Sequence, residues 1–322
     1  MSRILYISHD VSQPRGGVGV LYDHVAALRG NGFDAFIVHT TPGFRYPFGR
    51  PDVPVIDGSS SVRGSKTDVL VVPEDHSAVI RRCREVTCRK VLFCQNHHFI
   101  FDGLSPGETW GELGFSGYIC VSTPIQRALR RWFGVDASVV TPGLDDAWFA
   151  DGFKPLAPPV TLACMPRKGP ASLRLVRGLL AAVGHADGKD LAWLEIEGLP
   201  KDQVAARLRA AHIYVSTSMY EGLGLPPLEA MAAGCLVVGF AGGGGLDYAT
   251  VDNGVWVPDD DPWALAEALA HTLASLNDPA AVAALDTKRQ AGRATAMSYT
   301  RERFERELVA FWSVYLGSAK EA

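Results

Sequence analysis

Short apolar, often β-branched runs punctuate this chain at Arg3–His9, Asp34–Thr40, Val53–Asp57, Asp68–Glu74, Lys90–Gln95, Gly117–Ser122 and Ser138–Thr141. Each reads as a buried strand. Helical spacing is clearest between some of them, at Val20–Gly30 and Thr123–Phe133. The second half repeats the alternation, with strands at Val160–Met165, Ala192–Glu197, Ile213–Ser218, Leu236–Phe240 and Asn253–Pro258. Helices are expected there at Ala171–Val183, Asp202–Ala211, Pro226–Ala233 and Pro262–Ser275. Strands that alternate with helices predict an α/β chain of doubly wound sheets. The final stretch, Ser298–Leu316, carries Phe304, Leu308, Phe311, Trp312 and Tyr315 at helical spacing, a stripe that predicts core packing rather than a membrane anchor. Pro155, Pro158 and Pro159 cluster in the aperiodic segment Ala147–Pro159, which reads as a linker between two domains.

The candidate chemistry concentrates after the strand Ile213–Ser218, in Glu221-Gly-Leu-Gly-Leu-Pro-Pro-Leu-Glu229. A loop at the carboxyl end of a parallel strand is where open α/β sheets bind ligands. Gly222 and Gly224 let the backbone approach a ligand, and Pro226 suits the first turn of a helix whose free N–H groups can receive a phosphate. Glu221 on the loop and Glu229 about one turn into the helix can both accept hydroxyl hydrogen bonds from one polyol ligand. After the first strand, Ser8-His-Asp-Val-Ser-Gln-Pro-Arg-Gly-Gly-Val-Gly19 supplies a glycine loop leading into a helix, and a flexible turn explains it as well as phosphate binding does. Gln95-Asn-His-His98 ends another strand with four polar side chains in a row, as sites do.

The Glu-x7-Glu spacing, the embedded glycines and the following Glu-Ala-Met-Ala-Ala-Gly-Cys-Leu-Val-Val-Gly239 resemble the donor-site signature of retaining family-4 (group 1) glycosyltransferases of the GT-B fold. That resemblance implies two Rossmann-like doubly wound domains facing across a cleft. An acceptor-side domain would span residues 1–152 and take back a C-terminal helix at 298–318, and a donor-binding domain would span 153–297. Glu221 would hold the donor sugar's hydroxyls and Glu229 those of the ribose. Arg167 and Lys168 would hold the diphosphate, and the backbones of Gly16, Gly17, Gly222, Gly224 and Leu225 would complete the phosphate cradle. The family's Arg and Lys are usually several residues apart, and here they are adjacent. A histidine contacts the donor sugar in the family; here either His97 takes that catalytic place or Gln95 or Asn96 occupies it. His9 falls in the acceptor or cleft group, as does Asp247, which stands where the family carries a Glu after a Gly-Gly pair.

Composition narrows the setting. At 322 residues, with 47% hydrophobic and 20% charged residues, the chain is long enough for two domains. A net charge of −4 gives no nucleic-acid footprint. No apolar run reaches membrane-spanning length, and Met-Ser-Arg-Ile-Leu-Tyr-Ile7 reads as a strand rather than a signal peptide, so a cytoplasmic protein is expected. Cys83, Cys88, Cys94, Cys120, Cys164 and Cys235 lack a Cys-x2-Cys pair and read as buried thiols, with no metal site. Basic and aromatic residues in Arg81–Arg84 and Gln126–Phe133 leave open a peripheral contact at the inner membrane face.

The expected activity is therefore transfer of a sugar from a nucleoside-diphosphate sugar to a hydroxyl of a glycan, lipid-linked saccharide or small molecule, with retention and without metal or other cofactor. A catalytically silent sugar- or partner-binding subunit on the same fold is the alternative. A Rossmann oxidoreductase would need Gly-x-Gly-x-x-Gly, which Arg15-Gly-Gly-Val-Gly-Val20 lacks.

Overall fold

The computed structural model describes residues 2–58, 65–185, 187–188 and 190–317. The chain divides into two compact units, Met1–Gly143 with Arg301–Ala322, and Leu144–Thr300. Unit 1 contains β1 (Ile4–Ile7), β2 (Ala35–Val38), β3 (Val55–Ile56), β4 (Val69–Pro73), β5 (Arg89–Cys94), β6 (Phe115–Cys120) and β7 (Ser138–Val139). They form one parallel sheet in the order β3-β2-β1-β4-β5-β6-β7. Its helices are α1 (Gly16–Gly30), α2 (Ser77–Arg82), α3 (Ile100–Gly103), α4 (Thr123–Phe133) and, from the chain's end, α10 (Arg301–Gly317). The near-continuous apolar runs of β1, β4 and β5 are what a parallel strand buried on both faces requires.

Unit 2 pairs β8 (Val160–Cys164), β9 (Leu191–Glu195), β10 (Ile213–Ser216), β11 (Leu236–Phe240) and β12 (Val255–Val257) in parallel, in the order β12-β11-β10-β8-β9. Its helices are α5 (Pro170–Ala182), α6 (Lys201–Ala210), α7 (Leu225–Ala232), α8 (Pro262–Ala274) and α9 (Pro279–Met297). In both units the strand order reverses once. The chain leaves β1 toward β2 on one side and resumes at β4 on the other; it leaves β8 toward β9 and resumes at β10. Right-handed crossovers then place helices on both faces of each sheet and open a crevice at each reversal, beyond the strands' carboxyl ends.

The stripe of the last helix is core, as its spacing predicts. Phe304, Leu308 and Trp312 are buried within unit 1, Trp312 donates its indole N–H to the Tyr6 hydroxyl at 3.1 Å, and Glu307 accepts the Thr141 N–H at 2.9 Å. The helix begins at Arg301 because Ser298 closes α9 instead. Ser318, the end of the expected span 298–318, lies outside the described residues.

Two expectations are corrected, and one helix was not foreseen. The segment Ala147–Pro159 is no free linker: Trp148 and Leu156 are buried in unit 2, the Ala150 N–H bonds the Ala232 carbonyl at 3.2 Å, and Phe153 lies under the guanidinium groups of Arg289 and Arg293. Its prolines break periodicity without freeing the chain, and the division falls earlier, after Gly143. The glycines at 16, 17 and 19 form no loop before a helix at Val20; they are the first turn of α1. The longest helix, α9, has 19 residues and was not expected, because alanines make its apolar face nearly featureless. Its start was nonetheless readable: Asp278 caps the Ala280 N–H and Pro279 takes the first turn.

Candidate functional site

In unit 2 the reversal lies between β8 and β10, and the charged residues expected from the sequence gather at their carboxyl ends. Beyond β8 the chain makes one turn of 3-10 helix, Pro166–Lys168, and Gly169 opens α5. A side chain at Gly169 would place its Cβ 2.4 Å from the Thr217 carbonyl oxygen, so only glycine lets this turn lie against the end of β10. Lys168 Nζ donates to Glu221 Oε1 at 2.5 Å, and Ser218 donates its hydroxyl to the same oxygen. Arg167 is exposed and makes no ion pair among the described residues. The shortened basic turn thus sends one cation to Glu221 and leaves the other open.

The loop bearing Glu221 is held by its neighbour. The Glu221 N–H bonds the Gly242 carbonyl at 2.9 Å, and the Gly244 N–H bonds the Glu221 carbonyl at 3.0 Å. Asp259, unremarked in the sequence, accepts the N–H groups of Gly242 and Gly243 at 3.0 Å each. The run Gly242–Gly245 is therefore tied down. Gly242 sits at φ +68°, where a Cβ would also meet the Ser218 carbonyl oxygen at 2.7 Å. Asp247 ends the turn Gly244–Asp247 and is half-buried.

Gly224 caps α7 in the left-handed region, and the buried Tyr248 hydroxyl donates to its carbonyl at 2.6 Å. Leu225 begins the helix, but Pro226 and Pro227 follow. Two of the first-turn N–H groups available to a phosphate are therefore missing, which narrows the cradle expected here. Glu229 lies in the same helix, half-buried, its carboxylate without a hydrogen-bond partner among the described residues. Burial lifts its carboxyl to about 7, against the pull of Lys201 and Lys168. Lys201 went unnoticed in the sequence, although its place in the first turn of α6 was readable; it pairs with Asp145 at 2.5 Å.

In unit 1 the expected residues fall into two groups. Gly16 and Gly17 are exposed in the first turn of α1, whose Arg15 cap supplies no side-chain acceptor. The Gln95 side chain lies against Gly17, its Oε1 being 3.3 Å from where a Cβ would stand. Asn96 folds its side-chain oxygen back onto the His98 N–H at 3.1 Å. His97 is half-buried, its Nδ1 is buried without a partner, and burial together with His98 holds its pKa below the ordinary imidazole value. A neutral ring with one unsatisfied nitrogen is suited to a ligand hydroxyl.

The sequence did not single out Glu74, which sets this strand end. It is buried and accepts the N–H groups of Gln95 at 3.0 Å and Asn96 at 2.5 Å. Burial, with the charge of Asp75 adding to it, lifts its carboxyl to about 8. Its neighbours make the second group: His9 Nε2 lies 2.7 Å from Asp75 Oδ1, and the His76 ring stacks on that of His9 with centroids 4.5 Å apart.

Residues 196–284 match the family described as glycosyl transferases group 1, a span holding Glu221, Glu229 and both interlocked glycine loops. The chain is 26% identical over 235 residues to an α-1,6-glucosyltransferase of Actinobacillus pleuropneumoniae serotype 7, covering 70% of this chain and 69% of that one. Among solved structures, HepE of Anabaena in complex with UDP and glucose superposes with a TM-score of 0.72 at 13% identity, over 98% of this chain and 100% of that one. Sucrose-phosphate synthase of Thermosynechococcus elongatus gives 0.69 at 16% identity, over 99% and 100%. The two parallel α/β units, the Glu221 and Glu229 carboxylates on the matched segment and these likenesses together support a glycosyltransferase similar to those of group 1, on the GT-B fold.

Proposed function

We propose that this enzyme moves a sugar from a nucleoside-diphosphate sugar to a hydroxyl of a saccharide, lipid-linked or small-molecule acceptor, with retention and without a metal ion. The observation that carries the reading is the Lys168–Glu221 pair, 2.5 Å apart at the reversal of the unit 2 sheet. A glycosyl phosphate joins an anion directly to a polyol, and this pair sets a cation beside a carboxylate at that spacing. Lys168 and the open Arg167 would take the diphosphate, whose charge grows as the glycosidic bond breaks. Glu221 would turn its carboxylate to the sugar hydroxyls, and Glu229, half-buried with its carboxylate unpartnered among the described residues, would accept those of the ribose. Front-face attack guided by the leaving phosphate needs no enzyme nucleophile, so the protein's part is orientation and electrostatics. HepE, in complex with UDP and glucose, and the α-1,6-glucosyltransferase support a nucleotide sugar as donor and an α-linked product.

The test is a panel of nucleotide sugars assayed for release of the nucleoside diphosphate, with and without EDTA, and the product anomer read by NMR. An inverted product, or activity lost to EDTA, refutes the corresponding part. Arg167→Ala and Lys168→Ala should each lower turnover without unfolding the protein.

We also infer peripheral contact of unit 1 with the inner face of an anionic membrane. On α4 Trp132 is 73% exposed, with the Arg131 guanidinium 5.3 Å from its ring centroid, and Phe101 of α3 is 62% exposed. No helix among the described residues is long and apolar enough to cross a bilayer, so this contact would be interfacial.

A further inference from the structure

Five charged side chains of unit 2 act on one another in alternating sign. Lys168 donates to Glu221 at 2.5 Å, and Lys201, the first residue of α6, meets Asp145 at the same distance. Glu229 links the two pairs. Burial dominates the state of its carboxyl; among the charges, Lys201 acts on it most strongly, followed by Lys168, Asp145 and Glu221. The order of the line is therefore Glu221, Lys168, Glu229, Lys201, Asp145.

The outer pair is mounted on held backbone. The Lys201 ammonium lies 5.8 Å from the centroid of the buried Trp148 ring. On the Asp145 side, the Leu144 N–H bonds the Tyr299 carbonyl at 2.8 Å, the Trp148 N–H bonds the Asp145 carbonyl at 3.0 Å, and Arg209 holds the Ala147 carbonyl. The two side chains nevertheless remain 50% and 34% exposed, so a ligand can reach them. An ion pair this exposed adds little to stability.

The nucleotide-sugar reading proposed above, on which this inference rests, sets the sugar at Glu221, the diphosphate at Lys168 and the ribose at Glu229. The base then falls to the next pair in the line. An ammonium only donates hydrogen bonds and a carboxylate only accepts them. Lys201 acts on Glu229 more strongly than Asp145 does, so the donor stands on the ribose side and the acceptor farther out. A base that fits carries an acceptor near its glycosidic bond and a donor beyond it. Uracil does, with O2 followed by N3–H on the edge that proteins read in unpaired bases. Cytosine keeps O2 but turns a bare N3 to the carboxylate, guanine turns its N2 amine to the ammonium, and adenine has no carbonyl to offer.

We propose that Lys201 and Asp145 read the nucleobase of the donor and select uracil, with Lys201 donating to O2 and Asp145 accepting from N3–H. Repulsion of the wrong edge by a fixed charge adds to the selection.

The experiment titrates UDP, CDP, GDP, ADP and inorganic pyrophosphate into the wild type, Lys201→Met and Asp145→Asn. The wild type should bind UDP about tenfold or more tightly than the other three nucleotides, the scale of one charge-assisted hydrogen bond. Each variant should lose about tenfold or more in UDP affinity while pyrophosphate, which has no base, stays within threefold. In Asp145→Asn the amide N–H can donate to N3 of cytosine, so the gap between UDP and CDP should close to threefold or less. A wild type that binds another of the four nucleotides as tightly as UDP overturns the proposal. Equal losses for all four nucleotides in both variants also overturn it, because the pair then serves Glu229 and not the base. A matching loss for pyrophosphate overturns it by moving the pair to the phosphates. A wild type that binds none of the four nucleotides overturns the nucleotide-sugar reading and this one with it.

Discussion

Replacing Glu229 by Gln should strengthen the empty protein and weaken its hold on nucleotide. The folded carboxyl is lifted by burial from 4.5 to about 7, so folding favours its protonated form. Its contribution to stability is therefore full below pH 4.5, declines as pH rises from there to 7, and is flat above. At 1.36 kcal/mol per unit the decline is about 3 kcal/mol, an upper figure because Lys201 and Lys168 respond to the same charge. Glu229→Gln carries no charge to desolvate. Differential scanning calorimetry at pH 8 should find the variant melting higher by up to about 6–12 °C, at 2–4 °C per kcal/mol for a domain of this size, with the gap closing toward pH 4.5. Titration calorimetry with UDP at pH 8 should show the reverse ranking. Losing a charge-assisted hydrogen bond of about 1.5–3 kcal/mol weakens affinity about 10- to 150-fold. Equal UDP affinity in the two proteins would refute the ribose role, and a melting gap independent of pH would refute the buried, unpartnered carboxylate.

Gly17→Ala meets only the movable tip of Gln95, so it should stabilise α1 by up to about 1 kcal/mol; a lowered midpoint in urea unfolding would contradict that fit. Glu74→Ala strands the N–H groups of Gln95 and Asn96, at about 1–3 kcal/mol each, and Glu74→Gln should recover part of that loss in urea unfolding; equal midpoints for all three proteins would contradict the clamp. At low salt the wild type should co-sediment with vesicles containing anionic lipid, and Trp132→Ala should do so less; a wild type left in the supernatant ends the membrane reading.

The alternation of buried strands and helices was readable because parallel strands covered on both faces must be apolar throughout, and turn residues bound each run. Leu236–Phe240 and Thr123–Phe133 fall at their expected limits for this reason. The residues of the Glu221–Glu229 loop were readable as a candidate site as well, because glycines, prolines and two glutamates at fixed spacing leave few bland explanations. The start of α1 was misplaced because glycine carries no helical signal of its own, and α9 was passed over because alanine carries almost no periodicity. Pairings across the sheet were beyond any local pattern. Lys168 meets Glu221, and His9 meets Asp75, only because each strand order reverses between the strands that bear them, which joins residues 53 and 66 positions apart. Glu74 was hidden for the same reason: its raised pKa and its hold on Gln95 and Asn96 come from the neighbour that β4 acquires in the sheet, where burial removes water and leaves two backbone N–H groups as its partners.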